Sequence, residues 1–109
     1  MNPEEADSLE LNLEGIDRLI HEPARLSVMA LLYVVDSADF VFLVNQTGLT
    51  WGNLSAHLSK LEEAGYIEIE KSFKGKRPHT ELRLTTAGRQ AFQAYRSRLQ
   101  QLLAGLPPE

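Results

Sequence analysis

The spacing of apolar residues in the first third of the chain predicts a helical region. Residues 23–35 are apolar nearly all round, which is typical of a central helix that is buried on most sides. Ile16, Leu19 and Ile20 recur at helical spacing and predict a short helix ahead of it. Residues 36–39 are predicted to form a turn that caps the next helix.

The middle of the chain has the pattern of two helices joined by a tight turn. Gly48 supplies the positive φ that a short reversal requires, and Thr50 is a good N-cap for the second helix. In that helix Leu54, Leu58 and Leu61 lie within about 60° of one another at about 100° per residue, so they form the face toward the core. We therefore predict a helix-turn-helix here.

A hairpin with a basic tip follows this helix, which ends at Gly65. Ile67 and Ile69 alternate with glutamates as in a half-buried strand, and Leu82 and Leu84 form the inward face of the returning strand. The basic residues around the tip are Lys71, Lys74, Lys76 and Arg77. A helix-turn-helix followed by a basic wing can place a helix in the major groove of DNA and positive charge over a neighbouring phosphate backbone.

The last predicted helix, about residues 86–104, carries a narrow apolar seam with 3-4-3-4 spacing. Such a seam is typical of a coiled coil and not of a helix that lies on its own domain. We expect a second subunit to cover it, with help from the first helix; packing within the chain is the alternative. The expected dimer interface is Ile16, Leu19, Phe92, Tyr95, Leu99, Leu102 and Leu106.

Together these elements predict an α+β fold that is mainly α, a winged helix-turn-helix with an extended C-terminal dimerisation helix. Residues 1–12 are expected to be an acidic N-terminal tail, and residues 13–106 one winged-helix DNA-binding domain that includes the last helix. A chain of 109 residues suits one domain with a modest core.

The charge is unevenly divided along the chain. The net charge is −4, but residues 1–39 carry two basic and nine acidic side chains, whereas residues 40–109 have a net charge of +3. The local field and not the net charge steers a polyanion, so this division suits a protein that offers one face to DNA. On charge alone, an ordinary acidic protein with a charged hairpin tip is equally well supported.

Composition argues against several other classes of protein. The chain has no cysteine, and its three histidines are far apart, so we expect no metal and no cofactor. Catalytic triads, phosphate-binding loops and dinucleotide motifs are absent from the sequence, so we do not expect an enzyme. The longest apolar run, residues 28–35, is far shorter than the roughly 20 residues that span a bilayer. With no visible signal peptide, a cytoplasmic protein without membrane contact is expected.

The outward arc of the second helix carries small or hydrogen-bonding side chains, which permit close approach to base edges. By itself this arc is more typical of a plain solvated face, but the turn before it and the wing after it favour DNA. The candidates for base contact are Asn53, Ser55, Ala56, Ser59 and Lys60. The candidates for contact with the DNA backbone are Thr50, Trp51, Lys74, Lys76 and Arg77.

The chain resembles the small MarR/ArsR-like winged-helix transcriptional regulators of bacteria and archaea, over about residues 14–99. The resemblance implies a homodimer joined through terminal helices, with paired recognition helices on a near-palindromic operator. At the position of Trp51 the family usually has a polar or basic residue, often Arg. Trp51 therefore either packs against the hairpin or the preceding helix, or lies on sugars and thymine methyl groups. The matching blocks are residues 44–50, 52–55, 57–58, 60–62, 64–67, 84–85 and 88–89.

Two further possibilities remain open from the sequence. The alternative function is a winged-helix protein–protein interaction module with little or no DNA binding, which Trp51 and the overall acidity favour and the basic wing disfavours. A small-molecule effector, unidentified, could bind an apolar pocket in the dimer groove, although a role in the core explains the same aromatic residues better. Those residues are Tyr33, Phe40, Phe42 and Tyr95.

Overall fold

The computed structural model describes residues 1–7 and 11–109 and has a three-stranded sheet with helices around it. Part of the predicted N-terminal tail, residues 8–10, lies outside the described residues. The described elements are α1 (Pro3–Ala6), a 3-10 turn (Leu13–Gly15), α2 (Pro23–Val34), β1 (Ala38–Asp39), α3 (Phe40–Thr47), α4 (Trp51–Glu63), β2 (Ile67–Lys74), β3 (Arg77–Leu84) and α5 (Thr86–Ala104). The predicted fold class is confirmed.

The core lies where α2 meets α4, α5 and the sheet. Val28, Met29 and Leu32 of α2 are fully buried, but Val34 at its end is 83% exposed, so this helix is less enclosed than its composition predicts. The leucine stripe of α4 is buried as predicted. The buried apolar residues of the core are Ile16, Ile20, Val28, Met29, Leu32, Ala38, Leu43, Leu54, Leu58, Leu61, Ile67, Leu82, Phe92, Tyr95 and Leu102.

The predicted helix around Ile16, Leu19 and Ile20 is wrong. The segment is a 3-10 turn followed by a bend, and the side chain of Asp17 accepts hydrogen bonds from the backbone N–H groups of Leu19 (2.9 Å) and Ile20 (3.2 Å). A short acidic side chain that bonds its own backbone competes with the helical pattern. The apolar residues still reach the core, because Ile16 and Ile20 are buried.

The helix-turn-helix is held by local caps. Asp39 accepts from the N–H of Phe42 at the start of α3, and Thr50 Oγ1 accepts from the N–H of Asn53 at the start of α4. Gly48, with φ of 71°, ends α3 and lets the chain reverse. These predictions are confirmed. At the end of α4, Gly65 (φ 78°) and the next residue complete a Schellman motif, in which backbone N–H groups close the last turn.

The sheet has one strand more than predicted. Residues 36–39 were expected to form only a turn, but Ala38 and Asp39 pair antiparallel with Leu82 and Glu81, so the order is β1-β3-β2. This strand has two residues, too short to carry an alternating pattern. The wing itself, β2 and β3, ends in a two-residue loop with positive φ at its glycine, which fits a type II′ turn.

The N-terminus of α5 is fixed against the start of the wing. Thr85 is its N-cap, accepting from the N–H of Gly88, and the hydroxyl of Thr85 donates to the carbonyl of Gly65. A Cβ built on Gly88 would lie 2.8 Å from the carbonyl carbon of Tyr66 and nearer still to its oxygen. Only glycine permits this approach. Within the described residues, no helix is long and apolar enough to cross a bilayer.

Candidate nucleic-acid interface

The outward arc of α4 is open along its whole length. All five candidates for base contact are exposed, and the backbone candidate Thr50 is exposed beside them. Because the first turn of a helix presents free N–H groups and a partial positive charge, the N-terminal half of α4 suits an approach to DNA. Glu62 and Glu63 make the other end acidic and less suited to it.

A cleft of about 690 Å³ separates α4 from the wing. Ser55 and Ser59 of α4 line it on one side, and Lys71 and Thr80 of the wing line it on the other. The outward arc of the helix and the inner face of the wing therefore open toward the same space. The sequence places these residues far apart, and the fold brings them together.

The positive charge of the wing is concentrated at its tip. Lys71, Lys74, Lys76 and Arg77 are all exposed there. Arg83 at the base is instead paired with two glutamates of β2, its Nε 2.9 Å from Glu68 and its Nη2 3.0 Å from Glu70. The cations at the wing tip are thus separated from the ion pairs that neutralise Arg83 at the other end of the hairpin. This arrangement favours contact between the tip and phosphate groups.

Trp51 lies at the start of α4 and does two things. Its ring stacks on Phe40 of α3, with centroids 4.7 Å apart and 27° between the planes. It nevertheless remains 59% exposed and lines the cleft. Packing against the preceding helix is therefore part of its role, and the open side of the ring is left beside the predicted DNA-facing arc.

His57 anchors α4 to the start of α2, a role that the sequence did not reveal. Its Nδ1 lies 3.1 Å from Nη1 of Arg25 and 3.5 Å from Oε2 of Glu22. Glu22 is also the N-cap of α2. Burial opposes ionisation of Glu22, but hydrogen bonds from the N–H groups of Arg25 and Ala24, with the charges of His57 and Arg25, outweigh it and lower its pKa. Helix α4 is thus held on the side opposite the wing.

A side-chain pair within β3 lies where β3 meets β1. His79 Nε2 lies 2.7 Å from Oε2 of Glu81. Hydrogen bonds from Ser37 and His79 lower the pKa of Glu81, and Lys74 contributes its charge. The base of the wing is joined to the domain by the pairing of Ala38 and Asp39 with Leu82 and Glu81, and this contact could not be predicted without β1.

Comparison with known proteins decides the family. A model of the winged helix DNA-binding domain matches residues 24–103. An uncharacterized protein from Methanocaldococcus jannaschii is 38% identical over 78 residues, which are 72% of this chain and 85% of that protein. The chain belongs to the winged helix DNA-binding domain family.

Two solved structures extend this assignment. A transcriptional regulator homologue from Pyrococcus horikoshii OT3 is 28% identical with a TM-score of 0.79, over 84% of this chain and 91% of that one. A MarR-family regulator from Enterococcus faecalis V583, 21% identical, has the same fold with a TM-score of 0.70, over 95% of this chain and 88% of that one. The resemblance to MarR/ArsR-like regulators is confirmed as a shared winged-helix fold, and the family model identifies residues 24–103 as a winged helix DNA-binding domain.

In this winged-helix domain the predicted dimer seam is largely covered within the chain. Phe92, Tyr95 and Leu102 are 6%, 4% and 3% exposed, and Leu99 is half-buried. Tyr95 contacts His21, whose Nδ1 is 2.8 Å from the tyrosine hydroxyl. A second subunit is therefore not needed to bury these side chains.

The predicted interface residues Ile16, Leu19 and Leu106 differ in exposure: the first is buried, the second half-buried and the third 44% exposed. A different set of leucines is open to solvent nearby. Leu103 is 57% exposed on α5, and Leu11 and Leu13 are 45% and 50% exposed. Gly15 lies against the side chain of Arg98, which brings this N-terminal segment beside α5.

The four aromatic residues considered for an effector pocket are not gathered in one place. Phe40 lines the cleft beside α4, and Phe42 lines a separate cavity of about 320 Å³ near β1. Tyr33 packs on Phe92 with centroids 5.1 Å apart, and Tyr95 faces His21. These contacts favour structural roles for the two tyrosines.

Proposed function

We propose that this protein is a sequence-specific transcriptional regulator that acts as a homodimer on a near-palindromic DNA operator. The observation that carries the proposal is the shared opening of the α4 arc and the wing onto one cleft, with four cations at the wing tip. A helix bearing small polar residues can enter a major groove, and the wing then reaches a neighbouring stretch of backbone.

The division of labour between the two parts follows from their side chains. Asn53, Ser55 and Ser59 can exchange hydrogen bonds with base edges, whereas the wing tip offers flexible point charges without an oriented pattern. Lys74, Lys76 and Arg77 are therefore assigned to phosphates. Thr50 and Trp51 lie where α4 begins, beside the backbone that the helix crosses.

The dimer part of the proposal rests on leucines that the monomer leaves exposed. Leu103 of α5 and Leu106 just after it, together with Leu11 and Leu13 of the N-terminal segment, leave apolar surface that a second copy can cover. A two-fold dimer would present two α4 helices about 34 Å apart, as successive major grooves require. Leu99, half-buried on α5, would lie at the edge of this contact.

The DNA assignment is tested by reversing charge at the wing tip. Lys76→Glu should weaken binding to all sequences similarly and reduce the salt slope by about one unit per protomer, because a phosphate contact is lost. Arg96→Glu, an exposed site on α5 with the same change of charge, is the control. If the two variants changed DNA binding equally, the wing tip would have no special role in DNA binding. That result would favour the alternative function, a protein–protein interaction module.

The dimer is tested on side chains that the monomer leaves open. Glu at Leu103 and Leu106 should leave the fold intact and make the protein monomeric, since burying charge in an interface is strongly unfavourable. DNA affinity should fall because two-point attachment is lost. Sedimentation of the unmodified protein at tens of micromolar comes first, and a monomer there would refute the dimer.

A further inference from the structure

The wing tip carries an exposed aromatic side chain that phosphate binding does not use. We propose that Phe73 is an apolar wedge that enters the minor groove beside the α4 site and partly unstacks one base step. The inference rests on the proposed DNA-binding function and adds to it a way of reading the shape and stiffness of DNA.

The register of the wing determines which way Phe73 faces. Phe73 pairs with Pro78 and lies two residues beyond Lys71, which pairs with Thr80. Because alternate residues of a strand share a face, Phe73 continues the face of Ile69, the half-buried residue that packs on the core. That same face lines the cleft opposite α4, through Lys71, Pro78 and Thr80.

Little of the Phe73 side chain is covered by the described part of the domain. Phe73 is 73% exposed, although Ile67 on the same face of the strand is 2% exposed. Folding therefore buries little of this large apolar side chain, and most of its surface is free to contact a binding partner.

The charge around Phe73 identifies that partner as a polyanion. Lys74 and Arg77 form the last pair of the hairpin, and Lys76 lies in the turn between them. Gly75, with φ of 65°, keeps this turn tight, so the ring and three cations are presented together. Apolar side chains that enter the minor groove between base steps kink the duplex, while neighbouring cations bind the phosphates on either side.

An anionic membrane surface would also attract cations and an aromatic ring. The shared cleft favours DNA, because Phe73 lies on the face that looks toward Ser55 and Ser59 of α4. Phe73 and the predicted base-contacting arc of α4 therefore face the same ligand. That ligand must have both a wide and a narrow groove, as duplex DNA does. A flat bilayer would contact only the wing tip and not the α4 arc.

The test compares Phe73→Ala with Phe73→Leu and with Ser72→Ala, a control on the opposite face of the same strand. The DNA is a duplex that the unmodified protein selects from a random library. Hydroxyl-radical footprinting locates the wing, and 2-aminopurine at that step reports unstacking. Urea melts of all three variants should match the unmodified protein, because the side chain is exposed.

We expect Phe73→Ala to abolish the fluorescence rise at the wing step and to weaken binding about fivefold to 150-fold, the range for loss of a stacking aromatic. The salt slope should not change, since no charge is removed. Leucine should restore part of the signal, because it is also an apolar wedge.

Three results would overturn the wedge. Phe73→Ala that binds the selected duplex within twofold and keeps the fluorescence rise would refute it while leaving DNA binding intact. An unmodified protein that selects no duplex would remove the proposed function and the wedge together. Phe73-dependent binding to vesicles containing phosphatidylserine, with DNA binding unaffected, would assign the ring to a membrane instead.

Discussion

Replacing Gly88 with alanine tests how the last helix positions the wing. The new Cβ would lie 2.8 Å from the carbonyl carbon of Tyr66 and 2.9 Å from its Cα. Favourable contacts between carbon atoms lie at about 3.5–4.0 Å, so α5 or the start of the wing has to move by roughly 1 Å. Both neighbours are backbone atoms, and rotation of a side chain cannot relieve the overlap.

The expected loss of stability can be worked from these contacts. Overpacking of this kind costs about 1–3 kcal/mol. The shift also strains the hydrogen bond from the N–H of Thr85 to the carbonyl of Tyr66, now 3.0 Å, which is worth about 1 kcal/mol. Alanine is a better helix former by about 1 kcal/mol, which offsets part of this. The net destabilisation should be about 1–3 kcal/mol.

Urea unfolding measures this directly. For a slope of about 1–3 kcal/mol per molar, the midpoint of Gly88→Ala should fall by about 1 M. Gly52→Ala is the matched control, because a Cβ there meets nothing within 4 Å and the exposed first turn of α4 tolerates it. A Gly88→Ala protein as stable as the Gly52→Ala protein would refute the close approach of α5 to Tyr66.

Three other changes probe separate parts of the domain. Tyr66 donates to Asp17 (2.5 Å), and this bond, with burial, raises the pKa of Tyr66 to about 12. Stability from this bond should be complete below about pH 10 and lost as the pH rises through about 12, and an unchanged pH profile in Tyr66→Phe would contradict the bond. Asn53→Ala should cost about 1–3 kcal/mol more on a selected site than on random DNA, measured by fluorescence anisotropy; equal losses would make Asn53 a backbone contact. His57→Ala should lower the free energy of unfolding by about 1 kcal/mol and weaken DNA binding, because α4 loses its anchor to Arg25; unchanged unfolding and binding would remove that role.

Local signals in the sequence were enough for the helix-turn-helix and the wing. Asp39, Gly48 and Thr50 act within three or four residues of their own positions, so their effects are visible without the fold. The leucine stripe of α4 and the alternating isoleucines of β2 likewise report burial by their spacing. The residues that carry the MarR/ArsR-like resemblance lie in these same elements.

Features that depend on distant partners could not be predicted. The segment around Asp17 bends despite its helical spacing of apolar residues. The carboxylate of Asp17 accepts hydrogen bonds from nearby N–H groups and from the hydroxyl of Tyr66, 49 residues away. The strand β1 exists only because β3 lies beside it. The spacing of the α5 seam cannot reveal that His21 and Tyr33 contact it within the chain.

Some features of the candidate site could likewise be predicted from the sequence, and others could not. Periodicity correctly left the arc of α4 exposed, and the cluster of cations correctly marked the wing tip. The cleft between them, the anchor at His57 and the direction of Phe73 required the register and packing of the whole domain. The sequence could not decide whether Trp51 packs or faces DNA. In the structure Trp51 packs on Phe40 and still remains more than half exposed.

The central claim is that this winged-helix protein reads DNA sequence, and selection from a random duplex library tests it most directly. We predict a near-palindromic site bound with a Kd of about 10⁻⁸–10⁻¹¹ M at physiological salt, at least about 10³-fold tighter than random DNA. Its half-sites should be centred about 10 base pairs, or one helical turn, apart. Equal affinity for all duplexes, or no enrichment of any sequence, would contradict it.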